Sequence, residues 1–237
     1  MNSGNLNLKP KENLNVGIHQ PNYFPWLGYF AKIKKSDVFV FLDDVQFSKN
    51  SWQNRVNIKS PNGKQFLTQP VNRINGIFTS TNEIIFSTCS WKSKHLKTIQ
   101  LNYKKAKFFD EFFPIVEYIL NNKVERMSEF NIFAVKNICN YLKLNISFFQ
   151  SSQIKAEGNS SQRIINILKS FNAFNYIHGK GANSYHDVQL FQENNIKLIP
   201  IEYNFKEYKQ LWGEFIPGLS ILDICFNLDK ESILNML

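Results

Sequence analysis

The chain has 237 residues, 43% apolar, 20% charged and 15% aromatic, so it can build a substantial core and is not a disordered polypeptide. The formal charge is +9, yet only four of the 28 basic residues are arginine (Arg55, Arg73, Arg126, Arg163) and the lysines are spread along the chain. Nucleic-acid readers gather basic residues on one face, and an anionic small substrate such as a nucleotide fits this charge equally well.

Residues 1–14 read as a loose polar tail, with no apolar stretch that would make a secretory leader. Apolar runs such as Val38–Leu42 fall far short of the roughly 20 residues of a bilayer-spanning helix, so no membrane span is expected. A cytoplasmic protein follows. From the tail onward the pattern predicts a strand at Val16–Ile18, a turn-rich segment, a helix at Leu27–Lys34 and a buried strand at Val38–Leu42. Arg55–Ile58 and Lys64–Thr68 flank Ser60-Pro-Asn-Gly63, a hairpin signal, and Ile84–Phe86 adds a short strand.

The middle changes character. Helices are predicted over Trp91–Leu101, Phe108–Leu120 and Ser128–Leu142. The third sets Phe130, Phe133, Ala134, Ile138, Tyr141 and Leu142 at spacings of three and four, a core stripe. Alternation then resumes. Strands are expected at Ile146–Phe149, Tyr176–Ile177 and Lys197–Ile201, with helices at Ser161–Leu168 and Val188–Glu193. Gly158-Asn-Ser160 offers capping chemistry before the first of these helices, and Ser220 caps a last one through Phe226. The expected fold is α/β, a mostly parallel sheet with a strand-end ligand site. It forms one domain over residues 15–237, interrupted by a mostly helical insert at about 91–142.

Cys89, Cys139 and Cys225 are widely spaced with no CxxC pair, so no zinc site is indicated, and Cys139 and Cys225 read as core. The four histidines show no HExxH spacing either. The richest segment is HQPNYFPWLGY, residues 19–29, which begins where the first strand ends and runs into a helix. Ligands of open α/β sheets bind outside the carboxyl ends of the strands. His19, Gln20, Tyr23, Trp26 and Gly28 are therefore candidates there, beside a helix N-terminus suited to phosphate or carboxylate. Asp43 and Asp44 close the second strand, with Gln46 nearby; strand alternation sends the two carboxylates to opposite faces. One carboxylate would hold Mg²⁺ or a substrate hydroxyl. Trp52 could stack on a sugar or base, and Asn54 and Arg55 follow, the latter with a guanidinium fork for phosphate. Lys94 and His95 share a helix and could form a second positive wall. His178, Gly179, Gly181 and Tyr185 cluster at a later strand end, where two glycines free backbone N–H groups for an anion.

The strings HQPNYFPWLGYF, DVFVFLDDVQFSKNSWQNRV, KSKHLKTIQLNYKKA and WGEFIPGLSILDICFN make this chain similar to the WbqC-like family of bacterial surface-polysaccharide gene clusters, over roughly residues 16–228. The resemblance implies a transferase of O-antigen biosynthesis. Its substrate would be a nucleotide-linked amino sugar, whose amine receives a small amino acid, glycine by preference. A free carboxylate does not acylate an amine at neutral pH, so activation by ATP with Mg²⁺, or donation from glycyl-tRNA, is implied as well. His19, Asp43, Asp44 and Arg55 would carry the chemistry. Another acyl or glycosyl transfer, and a non-catalytic assembly module, are the rival readings.

Overall fold

The computed structural model of the protein describes residues 14–48, 50–154, 156–179 and 187–237. In chain order the elements are β1 (Asn15–His19), α1 (Leu27–Lys34), β2 (Val38–Phe41), β3 (Arg55–Ser60), β4 (Gly63–Thr68), β5 (Val71–Asn72) and β6 (Ile85–Phe86). Three longer helices follow: α2 (Ser90–Tyr103), α3 (Phe109–Leu120) and α4 (Met127–Tyr141). The remainder is β7 (Ser147–Gln150), α5 (Ser151–Ile154), α6 (Ser160–Ser170), β8 (Asn175–Gly179), α7 (Val188–Glu193), β9 (Lys197–Ile201), α8 (Ile221–Asn227) and α9 (Lys230–Met236).

The described chain divides into two compact units, the first built from residues 14–19, 32–42 and 146–202. Its five described strands form a parallel sheet in the order β7-β2-β1-β8-β9. β1 lies between β2, registered Val16 to Val38, and β8, registered Val16 to Tyr176. Alternation along each strand explains the packing. Val16, Ile18, Val38, Val40 and Tyr176 meet Ile164, Ile165, Ile167 and Leu168 of α6 and Phe191 of α7 in one core. The other side of β2 carries Phe39 and Phe41, the latter stacked on Phe148 with ring centroids 5.5 Å apart. That is why β2 reads as an unbroken apolar run: it is buried on both faces.

The second unit comprises residues 20–31, 43–145 and 203–237. It holds the antiparallel hairpin β3–β4, registered Arg55 to Thr68, the short pair β5–β6, and α2–α4, α8 and α9. Tyr103 and Phe226 stack at 4.8 Å, and Phe112 meets Phe226 edge-on at 5.1 Å, joining α2, α3 and α8. The stripe expected on α4 is core, with Phe130, Ala134, Ile138 and Tyr141 buried; Phe133 is half-buried against Tyr118. Cys139 and Cys225 are buried thiols, and Cys89 is exposed.

Three local differences from the sequence reading have physical causes. The segment Gly158-Asn-Ser160 does not cap α6 through a side chain; instead Gly158 and Ser160 turn the chain with φ of 97° and 46°. β2 ends at Phe41, so Asp43 and Asp44 lie beyond the pleat and strand alternation does not govern them. Ser220 does cap α8, accepting from Leu222 N, but α8 is not the last helix. Asp229, whose Oδ1 accepts from Ser232 N at 2.9 Å, starts α9. Among the described residues no helix is long and apolar enough to cross a membrane.

Candidate functional site

In the first unit the order of the sheet reverses at β1: the chain builds outward through β2 and β7 on one side, then through β8 and β9 on the other. The crevice outside the carboxyl ends of two strands at such a reversal is where open parallel sheets bind ligands. The two strands are β1, ending in His19, and β8, ending in His178-Gly179. Two motifs separated by about 160 residues of sequence thus reach one edge. His19 is half-buried and its carbonyl accepts from Leu42 N at 2.8 Å. His178 is buried, with Nδ1 3.2 Å from the Gly179 carbonyl; burial lowers its pKa, and the charge of Lys32 lowers it further. Gly181 and Tyr185 lie outside the described residues.

Local sequence does not set Lys32 apart from Lys34 and Lys35, but the fold does. Lys34 and Lys35 are exposed, whereas Lys32 is 4% exposed. Its Nζ donates to the carbonyl of Ile18 at 2.6 Å and stands 5.9 Å from the centre of the Tyr176 ring. Burial pulls its pKa down to about 7.

The second unit contains an apolar cavity of about 320 Å³ lined by Asn22, Tyr23, Pro25, Trp26, Trp52, Val56, Phe205 and Gly218. Three candidate binding residues, Tyr23, Trp26 and Trp52, meet here. Tyr23 N donates to Trp52 O at 3.1 Å, tying the Gln20–Trp26 turn to the turn before β3. Asn131 of α4, fully buried, reinforces the tie by donating through Nδ2 to Pro21 O at 3.1 Å and Gln53 O at 2.7 Å. Trp52 is 51% exposed, an open aromatic plane, while Trp26 packs 5.4 Å from the rings of Tyr203 and Phe205.

Gly28 makes room for the indole of Trp26. A β-carbon at position 28 would stand 2.0 Å from the indole Cη2. Gly28→Ala is therefore expected to push the indole off α1 at a cost of about 1–3 kcal/mol. Urea unfolding together with tryptophan fluorescence checks this, and unchanged values for both would refute it.

His95 is packed into the second unit and hydrogen-bonded there. Its Nδ1 lies 2.8 Å from the Tyr23 hydroxyl, with Thr68's backbone also bonding the ring, and it is packed 5.1 Å from Trp91. Burial takes its pKa down to about 4, so the ring is neutral and Nδ1 accepts from Tyr23. Lys94, one residue away, is exposed, so the two do not form one wall. Gln46 is exposed and its Nε2 donates to Ile77 O at 2.8 Å, anchoring a loop. Asn54 is buried and donates to Gln69 O at 3.2 Å. Gln20 is half-buried, its carbonyl accepting from the Tyr29 hydroxyl. Arg55 is half-buried with its guanidinium 4.8 Å above the Phe66 ring. Asp43 is 1% exposed, and Asp44 is half-buried.

The cavity wall formed by residues 203–219 depends on a second buried lysine. Lys59 Nζ donates to Gln210 Oε1 at 3.0 Å, to Gly213 O at 3.2 Å and to Glu214 O. Near it Asp223, fully buried, accepts from the hydroxyls of Tyr103 at 2.9 Å and Tyr208 at 2.7 Å. Burial raises the Asp223 pKa, and the two hydroxyls and the Lys59 charge hold it down.

A five-stranded parallel sheet packed with helices defines an α/β fold. The chain belongs to the WbqC-like protein family, whose model matches residues 20–234. It is 32% identical over 219 residues to the uncharacterized protein Rv1507c of Mycobacterium tuberculosis, covering 92% of this chain and 95% of that protein. No solved structure matches the chain.

Proposed function

We propose that this protein is a transferase of surface-polysaccharide biosynthesis that joins a small amino acid, glycine by preference, to the amine of a nucleotide-linked amino sugar. The observation that supports it best is the cavity of the second unit. Its lining is aromatic and apolar, with no charged side chain among the lining residues, and Trp52 offers an exposed ring face. Such a surface suits the apolar face of a deoxy sugar or a nucleobase.

The reaction forms one amide bond. With ATP, the amino-acid carboxylate attacks the α-phosphate and pyrophosphate leaves; the sugar amine then attacks the acyl carbon and AMP leaves, the amine's proton passing to a base. With glycyl-tRNA the amine displaces the tRNA hydroxyl instead. To His19 and Arg55 we assign stabilisation of negative charge on phosphate oxygens. To Asp43 or Asp44 we assign orientation of the sugar amine; if Mg²⁺ takes part, either carboxylate would hold it and the ion would neutralise phosphate charge.

Purified protein given labelled glycine, ATP or glycyl-tRNA, and a dTDP-4-amino-4,6-dideoxy sugar is expected to yield a product heavier by one glycyl unit. Absence of product from both donors overturns the proposal. Trp52→Ala is expected to raise KM for the sugar nucleotide by roughly tenfold with little change in kcat, as loss of ground-state stacking requires.

A further inference from the structure

We infer that the carboxyl edge between β1 and β8 in the first unit is an anion site for a phosphoryl group, with Lys32 as its cation. Lys32 is more than nine-tenths buried yet makes a single hydrogen bond, to Ile18 O, so two of its three N–H groups have no acceptor among the described residues. A buried ammonium in that state is costly, and an apolar side chain of similar length would stabilise the fold better. The position therefore serves something other than folding. No described carboxylate offsets the charge: burial alone shifts the Lys32 pKa. The titratable groups facing it are His178, whose pKa its charge lowers, and Tyr176 beneath it. A lysine cation at the reversal point of a parallel sheet attracts an anion, and the charge of Lys32 reaches His178 beside it. A bound phosphoryl group would supply the acceptors that Lys32 lacks and restore its charge.

The carrier of that phosphate, the sugar nucleotide or the activating nucleotide, rests on the function proposed above; the site does not, so binding is read without turnover. Calorimetry of the full chain at about pH 8, in two buffers of different ionisation enthalpy, is run with inorganic pyrophosphate, dTDP and ATP. Lys32 is mostly neutral at that pH, so binding is expected to take up protons. Lys32→Met is expected to weaken binding by roughly tenfold or more and abolish the uptake, with a melting temperature equal to or above wild type. Pyrophosphate binding with dTDP, or with ATP, names the carrier and supports the site in either case. Equal affinity in Lys32→Met, or a lowered melting temperature with affinity retained, makes Lys32 a tether for β1 and overturns the inference. Should the variant not fold, binding to wild type without proton uptake, or no binding by any of the three probes, overturns it as well. Failure of glycyl transfer with these binding results intact would count against the proposed reaction alone.

Discussion

Lys59→Met is expected to destabilise the protein by about 3–5 kcal/mol, the cost of breaking a buried charged network by removing one partner. The lysine is fully buried, and three acceptors on the 210–214 loop depend on it. Its removal strips the Gly213 and Glu214 carbonyls of a donor and leaves the buried Asp223 with two hydroxyls and no cation. Met fills nearly the same volume, so the loss is electrostatic. Asp223→Asn removes the orphaned charge. The double variant is therefore expected to be more stable than the sum of the single effects predicts. Urea unfolding of the four proteins measures the coupling, and strict additivity would show that Lys59 and Asp223 act independently. Phe205 and Gly218 flank this loop and line the cavity, so Lys59→Met should also disturb the cavity wall.

Acidification is expected to remove about 3 kcal/mol of stability through His95. Unfolded histidine titrates near 6.5, while the buried ring titrates at about 4. Between these values the unfolded chain takes up a proton and the folded one does not. The contribution is thus fully present above about pH 6.5 and is lost as pH falls towards 4. His95→Gln keeps an acceptor for the Tyr23 hydroxyl but cannot titrate. It is expected to be less stable at neutral pH and to lose less on acidification. His178, shifted in the same direction by burial, and Asp223, shifted oppositely, titrate in both proteins, so the difference between them isolates His95. Parallel stability curves for the two from pH 7 to 4 would sink this assignment.

Local signals carried most of the elements. The unbroken run VFVF read as a buried strand, Ser60-Pro-Asn-Gly63 made the β3–β4 hairpin legible, and amphipathic spacing made α4 so. The strings at 19–30 and 37–56 carried the family, which the match over residues 20–234 bears out. The placement of individual polar residues was not legible. Nothing local tells Lys32 from Lys34, or Lys59 from Lys64, because a lysine's burial depends on elements distant in sequence: β8 with its Tyr176 for the first, the 210–214 loop for the second. His95 looked like part of a basic wall until Tyr23, 72 residues away, supplied its hydrogen bond. Sequence by itself determined most of the strands, helices and turns, since these rest on spacing and backbone preference within a few residues. Only the tertiary structure decided which cations are buried, which aromatic rings share a cavity and which strand ends meet, since desolvation and hydrogen bonding are set by groups that the fold brings together from afar.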